Sequence, residues 1–171
     1  MMARMLLMSV CGLLCFACSN AMAAQLEARV TLLEGLYRDV AAMRGWIEGS
    51  RPPMRAMLLR LREGSLQPLW DDVSETLKTA ESFDAAWKKS AGALRGGLLR
   101  PLSEEEYRLM LEFGGVFCAV QDAKAQLRWM DGMLQRLRIF TEEARAQTQK
   151  RAKLYRSLGA LSGLAFAVVI A

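Results

Sequence analysis

The sequence contains no histidine among its 171 residues. This absence excludes Ser-His and Cys-His catalytic pairs, histidine-ligated metals or haem, and an imidazole pH switch. The phosphate-binding patterns G-x-x-x-x-G-K-[ST] and G-x-G-x-x-G are also missing. We therefore expect a protein that is not an enzyme and that needs neither a cofactor nor a metal ion.

Proline is restricted to the middle of the chain, where Pro52, Pro53, Pro68 and Pro101 are the only ones. Because proline breaks helices, the arms 1–51 and 102–171 can each hold a long helix. β-Branched residues are few and do not alternate over any useful length, so no strand is expected. The sequence predicts an all-α fold, a membrane-anchored bundle of about six helices with long first and last helices.

Both ends of the chain lack charge. Residues 5–24 and 157–171 carry no charged side chain, whereas residues 25–156 carry 40 of the 41 charges. A helix of about 20 residues spans roughly 30 Å, the thickness of a bilayer core, and the C-terminal segment is shorter and a marginal span. We predict an N-terminal transmembrane segment at 1–24, a helical domain at 25–156 and a C-terminal transmembrane segment at 157–171.

The N-terminal segment also has the features of a signal peptide. Arg4 precedes an apolar stretch, and Ala21-Met22-Ala23 has the small-x-small pattern of a cleavage site. The residues by themselves leave open whether this segment is a retained anchor or a cleaved signal.

Small residues recur every fourth position in the C-terminal segment, at Gly159, Gly163 and Ala167. Such a stripe lets another membrane helix approach closely. Small residues are also simply common in membrane helices, so the stripe is a candidate packing surface and both interpretations stay open.

Basic residues without acidic neighbours precede the C-terminal segment, namely Lys150, Arg151, Lys153 and Arg156. Positive residues beside membrane helices favour the cytoplasmic side. The sequence therefore predicts a cytoplasmic domain whose juxtamembrane cations lie near anionic lipid.

Apolar residues at helical spacing predict the remaining helices. The first helix should continue to about Glu48, and Gly64 is placed to end the second. Ser82 is a candidate N-cap for the fourth helix, and Ser103 with Glu106 forms a capping box for the fifth. We expect Gly114-Gly115 to weaken or end that helix.

Asp122 is a candidate N-cap for the sixth and last helix, which should continue into the C-terminal segment. With short connections between them, the first and last helices are expected to pack antiparallel.

Four arginines cluster near the second helix, at Arg51, Arg55, Arg60 and Arg62. Acidic and basic residues are interspersed across the domain, which is a weak pattern for nucleic-acid binding. We expect no nucleic-acid partner and assign these charges to solvated helix faces.

The whole-chain layout resembles the stage III sporulation protein AB family of spore-forming Firmicutes. The resemblance depends on the run Tyr155–Leu164, on Phe113-Gly114 followed by Asp122 and Gln126, and on Trp87. The chain departs from the family pattern at 119–121, where Ala-Val-Gln stands in place of a glycine that usually precedes the aspartate.

The resemblance implies a component of the channel complex between mother cell and forespore. Its domain is expected to be similar to the F-type platform proteins of type II secretion and to face the cytoplasm from the mother-cell membrane around the forespore. The implied partners are a secretion-type ATPase and other stage III sporulation channel proteins, and the implied role is a scaffold that links them. The resemblance also favours a retained N-terminal anchor.

Two other functions are kept as alternatives. One is a secreted or periplasmic helical adaptor or chaperone with a cleaved signal peptide and a C-terminal membrane anchor. The other is a regulator that binds an ATPase without forming part of a pore.

Overall fold

A computed structural model describes the backbone of residues 2–119 and 122–170 and the side chains of residues 21–117 and 122–151. This part of the chain forms six helices and no strand. They are α1 (Met2–Gly49), α2 (Met54–Leu61), α3 (Gln67–Thr76), α4 (Phe83–Leu94), α5 (Glu104–Ala119) and α6 (Ala123–Ile170). The predicted all-α fold with six helices and two long outer ones is confirmed.

The chain divides into two units. One consists of residues 1–29 and 143–171, and the other of residues 30–142. In the first unit, the Arg29 guanidinium donates a hydrogen bond to Oε1 of Gln147 over 3.1 Å. The second unit, called here the helical core, contains α2 to α5 complete together with parts of α1 and α6.

The predicted membrane segments fall on residues whose side chains lie outside the described part of the chain, apart from residues 21–24. Among the described residues, no helix has a stretch that is long and apolar enough to cross a bilayer. The division at 24/25 and 156/157 therefore stays a prediction.

The helical core is built on a buried stripe along α1, with Leu33, Leu36, Val40 and Met43 all at most 2% exposed. Residues at i, i+3 and i+4 share one face of a helix, which is why this spacing buries them together. On α6, Met130, Met133 and Leu137 are also buried and at most 3% exposed.

One ion pair within the helical core joins α1 to α6. Nε of Arg44, near the end of α1, lies 2.5 Å from Oδ1 of Asp131, near the start of α6. The predicted antiparallel packing of the two helices requires the end of one to meet the start of the other in this way.

The predicted helix starts of α4 and α5 are confirmed. The Ala85 amide donates to Oγ of Ser82 over 3.1 Å. Glu106 donates its amide to Oγ of Ser103 over 3.3 Å and accepts from the Ser103 amide over 2.7 Å, the two reciprocal bonds of a capping box. Because these bonds satisfy amides that have no partner inside the helix, they define where each helix begins.

Two predicted helix ends are wrong. Gly64 does not end α2, because α2 ends at Leu61 and its C-cap is Arg62. Gly64 instead allows a close approach, because a Cβ there would lie 3.1 Å from the Leu61 carbonyl oxygen. The second error concerns Gly114-Gly115, which do not end α5, since that helix continues to Ala119.

Candidate functional site

The five internal positions that carry the sequence pattern lie together where α4, α5 and α6 meet in the helical core. They are Trp87 on α4, Phe113 and Gly114 on α5, and Asp122 and Gln126 at the start of α6. We call this region the α4–α5–α6 junction.

Trp87 is the centre of the junction and is 1% exposed. Its indole Nε1–H donates to the Met110 carbonyl oxygen over 2.7 Å, so the polar atom of this buried ring is satisfied. A Cβ built on Gly114 would lie 2.6 Å from Cδ1 and 2.8 Å from Cγ of that ring. Only glycine therefore lets α5 lie directly against the indole, which explains why a glycine stands inside a continuous helix.

Aromatic rings fill the space around this contact. Phe113 lies 5.2 Å from Trp87 and 5.9 Å from Trp129 of α6, measured between ring centroids. Phe117 stacks on Phe113 at 5.1 Å. Pairs in this distance range contribute about 0.5–1.5 kcal/mol each beyond the area they bury. The rings thus join all three helices of the junction.

Asp122 caps the start of α6, and Gln126 connects that start to the end of α5. Oδ2 of Asp122 accepts from the Ala125 amide over 3.1 Å, which confirms the predicted N-cap. The Gln126 side-chain amide donates to the Phe117 carbonyl oxygen over 3.0 Å. Phe117 is in the last turn of α5, where carbonyl groups lack a partner inside the helix. Gln126 therefore satisfies a carbonyl group at the end of α5 and links that end to the first turn of α6.

The junction is a structural joint. Its side chains fill the interior, cap helix ends and hydrogen-bond backbone groups, which fixes the relative positions of three helices. Among the side chains that the structure describes, no three cysteine, aspartate or glutamate residues converge as metal ligands.

A protein-family comparison agrees with this layout. The family model described as Stage III sporulation protein AB matches residues 2–171. The chain belongs to the stage III sporulation protein AB family. The role of this family member is therefore sporulation-related. Neither the curated proteins nor the solved structures include a match to the chain.

The remaining predicted positions of this stage III sporulation protein AB family member are on α6. Lys150 and Arg151 are exposed. Lys153 and Arg156, and the predicted packing residues Gly159, Gly163 and Ala167, have side chains outside the described residues. Their membrane roles stay predictions.

A buried acid in the helical core was missed by the sequence reasoning. Asp39 is 5% exposed and accepts a hydrogen bond from Nε1 of Trp70 over 2.6 Å. Burial raises the pKa of Asp39, and the hydrogen bond from Trp70 and the charge of Arg38 partly offset this effect. Its spacing indicates that it is buried, since Asp39 is three residues after Leu36 and four before Met43 on the buried stripe of α1.

A groove of about 360 Å³ lies between α5 and α6 in the helical core. Leu109 and Phe140 contribute apolar surface, and charged residues of both signs surround them. One of these pairs, Arg136 and Glu112, lies 3.8 Å apart across the groove. Since its charges are balanced, the groove shows no preference for a ligand of either sign.

Proposed function

We propose that the chain is a non-enzymatic membrane component of the channel complex between mother cell and forespore, acting as a scaffold that links a secretion-type ATPase to the membrane channel subunits. The observation that carries this proposal is the family match over residues 2–171. The match includes the helical core and both uncharged ends, so it supports the layout of an anchored domain as a whole.

The helical core supports a scaffold role because of how its pattern residues are used. Trp87 and Gly114 hold α5 against α4, and Gln126 holds the start of α6 against α5. A scaffold must present surfaces in fixed relative positions, and interlocked helices do this since packed interiors deform little.

The proposed placement has the domain in the mother-cell cytoplasm, anchored in the membrane around the forespore by segments 1–24 and 157–171. Lys150 and Arg151, both exposed, would then lie near lipid headgroups. An excess of cations beside membrane segments favours the cytoplasmic side and binds anionic lipid.

The test is deletion of the gene and replacement with tagged versions in a spore-forming host. We expect the deletion to block sporulation, and we expect the full chain to co-purify from membranes with the ATPase and other channel subunits. A version lacking residues 1–24 and 157–171 should leave the membrane fraction and still bind the ATPase. Normal spore yield after deletion, or no ATPase with either version, contradicts the proposal.

A further inference from the structure

A cationic surface lies where α1 turns into α2. It consists of Arg51, Arg55 and Arg60 with Leu59 and Trp46, and we call it the basic corner. All five residues belong to the helical core. Arg51, Arg55, Leu59 and Arg60 are exposed, and Trp46 is half-buried.

The arginines of the basic corner have no acidic partner among the described residues, in contrast to those next to them. Arg44 bonds Asp131 and Glu48, and Arg62 bonds Asp71. No carboxylate lies within ion-pair distance of Arg51, Arg55 or Arg60 in that part of the chain. Three guanidinium groups are therefore available to an external anion.

An exposed leucine stands among these cations. Leu59 is 55% exposed, whereas the other leucines of α2, Leu58 and Leu61, are at most 4% exposed. Leu59 therefore adds nothing to the core, and its exposure leaves apolar surface on the outer side of α2. Arg55 and Leu59 are four residues apart, so they are neighbours on one face of the helix.

Two features hold the basic corner in place. The Arg60 guanidinium lies over the Trp46 ring, 5.4 Å from its centroid. Arg51 has a φ of 45°, a left-handed conformation that non-glycine residues rarely adopt and that the surrounding structure must hold. Its amide is bound to the Trp46 carbonyl oxygen over 2.8 Å. The cations are thus partly preorganised.

We propose that the basic corner is a docking surface for a protein segment that carries carboxylates beside an apolar side chain. Guanidinium groups bind carboxylates through paired, charge-assisted hydrogen bonds, and a central apolar contact gives such interfaces their affinity. The proposal rests on the scaffold function, because a scaffold needs surfaces of this kind to hold a partner.

The described residues favour a protein over nucleic acid or lipid. Single-stranded nucleic acid stacks its bases on open aromatic faces, whereas Arg60 covers the Trp46 ring. A lipid surface takes up the apolar face of an amphipathic helix. The apolar face of α2 is buried in the core, with Leu59 alone left outside. A carboxylate-bearing protein segment matches both the charges and the single leucine.

The test measures binding of labelled synthetic peptides to the full-length chain in neutral-lipid nanodiscs by fluorescence anisotropy. The probes are a short helical peptide of glutamate and leucine, the same peptide with serine for leucine, and the same peptide with lysine for glutamate. A single-stranded oligonucleotide and phosphatidylglycerol vesicles represent the other two ligand classes. We expect the glutamate–leucine peptide to bind best. Arg55→Glu and Leu59→Ser should each weaken it by about tenfold.

Matched controls are available on α6. Arg128→Glu reverses one exposed cation, and Ile139→Ser removes an exposed aliphatic side chain that is 47% accessible. Both should leave peptide affinity unchanged. Equal affinity of all variants overturns the docking surface, as does tighter binding of oligonucleotide or vesicles that is lost in Arg55→Glu.

Measurements of spore yield distinguish failure of the docking surface from failure of the scaffold function on which it rests. If gene deletion blocks spore formation while Arg55→Glu with Leu59→Ser has the yield of the two controls, the docking surface is wrong and the scaffold function stands. If deletion itself has no effect, the scaffold function fails whatever the peptides show.

Discussion

A Cβ atom on Gly114 would lie 2.6 Å from Cδ1 of Trp87, far inside the contact distance of two carbon atoms. Trp87 cannot withdraw easily, because its Nε1–H is bound to Met110 and its ring is enclosed by Phe113 and Phe83. The close approach of α5 to α4 therefore depends on the absence of one methyl group.

We predict that Gly114→Ala lowers the free energy of unfolding by about 1–3 kcal/mol, the usual cost of overpacking a filled core. The control is Gly132→Ala on α6, where a Cβ would meet no atom within 4 Å. That change should raise stability by up to about 1 kcal/mol, because alanine favours helix over glycine. Thermal unfolding of the full-length chain in detergent, followed by circular dichroism, compares the two. Similar midpoints for both variants would show that the indole does not restrict α5.

Asp39 should make stability depend on pH. Burial raises its pKa above the ordinary 3.8, so the folded protein binds the proton more readily than the unfolded chain does. Stability from protonated Asp39 is therefore fully present below about pH 3.8 and is lost as the pH rises through the raised pKa of the folded state.

Asp39→Asn isolates this contribution, because asparagine does not titrate and can still accept from Trp70. We predict that the stability of the original protein, relative to this variant, increases as the pH is lowered from 7 toward 4 in denaturant titrations. Glu105→Gln is the matched control, because it removes one carboxylate at an exposed site. A constant difference between the original and Asp39→Asn across this range would contradict the assignment.

The predicted cytoplasmic side of the domain can be tested with a single cysteine. Ser90 is fully buried, so a label there would not react, whereas its neighbour Lys89 is exposed. We predict that Lys89→Cys, in a chain whose own four cysteines are replaced, is labelled by a membrane-impermeant maleimide only after cells are permeabilised. Labelling in intact cells would support the secreted alternative. So would a mature N-terminus at Ala24 by protein sequencing.

The candidate packing stripe of the C-terminal segment predicts a variant that folds normally but assembles poorly. Gly163→Leu should reduce recovery of the channel complex, because a large side chain prevents close approach of a second membrane helix. The unfolding midpoint of the helical core should not change. Gly132→Leu, at the open position on α6, is the control and should assemble normally. Equal recovery of the complex with both variants would show that the stripe does not contribute to assembly.

The features that were predicted correctly depend on residues close together in sequence. Ser82 and Asp122 each cap an amide three residues later, and Ser103 bonds Glu106 at the same spacing. The helical spacing that predicts the helices is equally local, because the repeat of a helix alone brings residues three and four apart to one face.

The features that were missed depend on residues far apart. Trp70 bonds Asp39 across 31 positions, and Trp87 bonds the Met110 carbonyl across 23. Gly114-Gly115 indicated a helix end because local propensity counts only the cost of glycine. That cost is outweighed by the packing of an indole that belongs to another helix.

The sequence by itself determined about six helices, the starting residues of α4, α5 and α6, the uncharged ends and a sporulation-related family. The tertiary structure decided that the pattern residues Trp87, Gly114 and Gln126 join three helices. It also decided that Leu59 stays exposed and that Arg51, Arg55 and Arg60 form no ion pair among the described residues. The physical reason is the sequence separation over which each interaction acts. Capping and periodicity act within one or two turns of a helix. Whether a side chain is buried, paired or left to a partner depends on which distant helix packs against it.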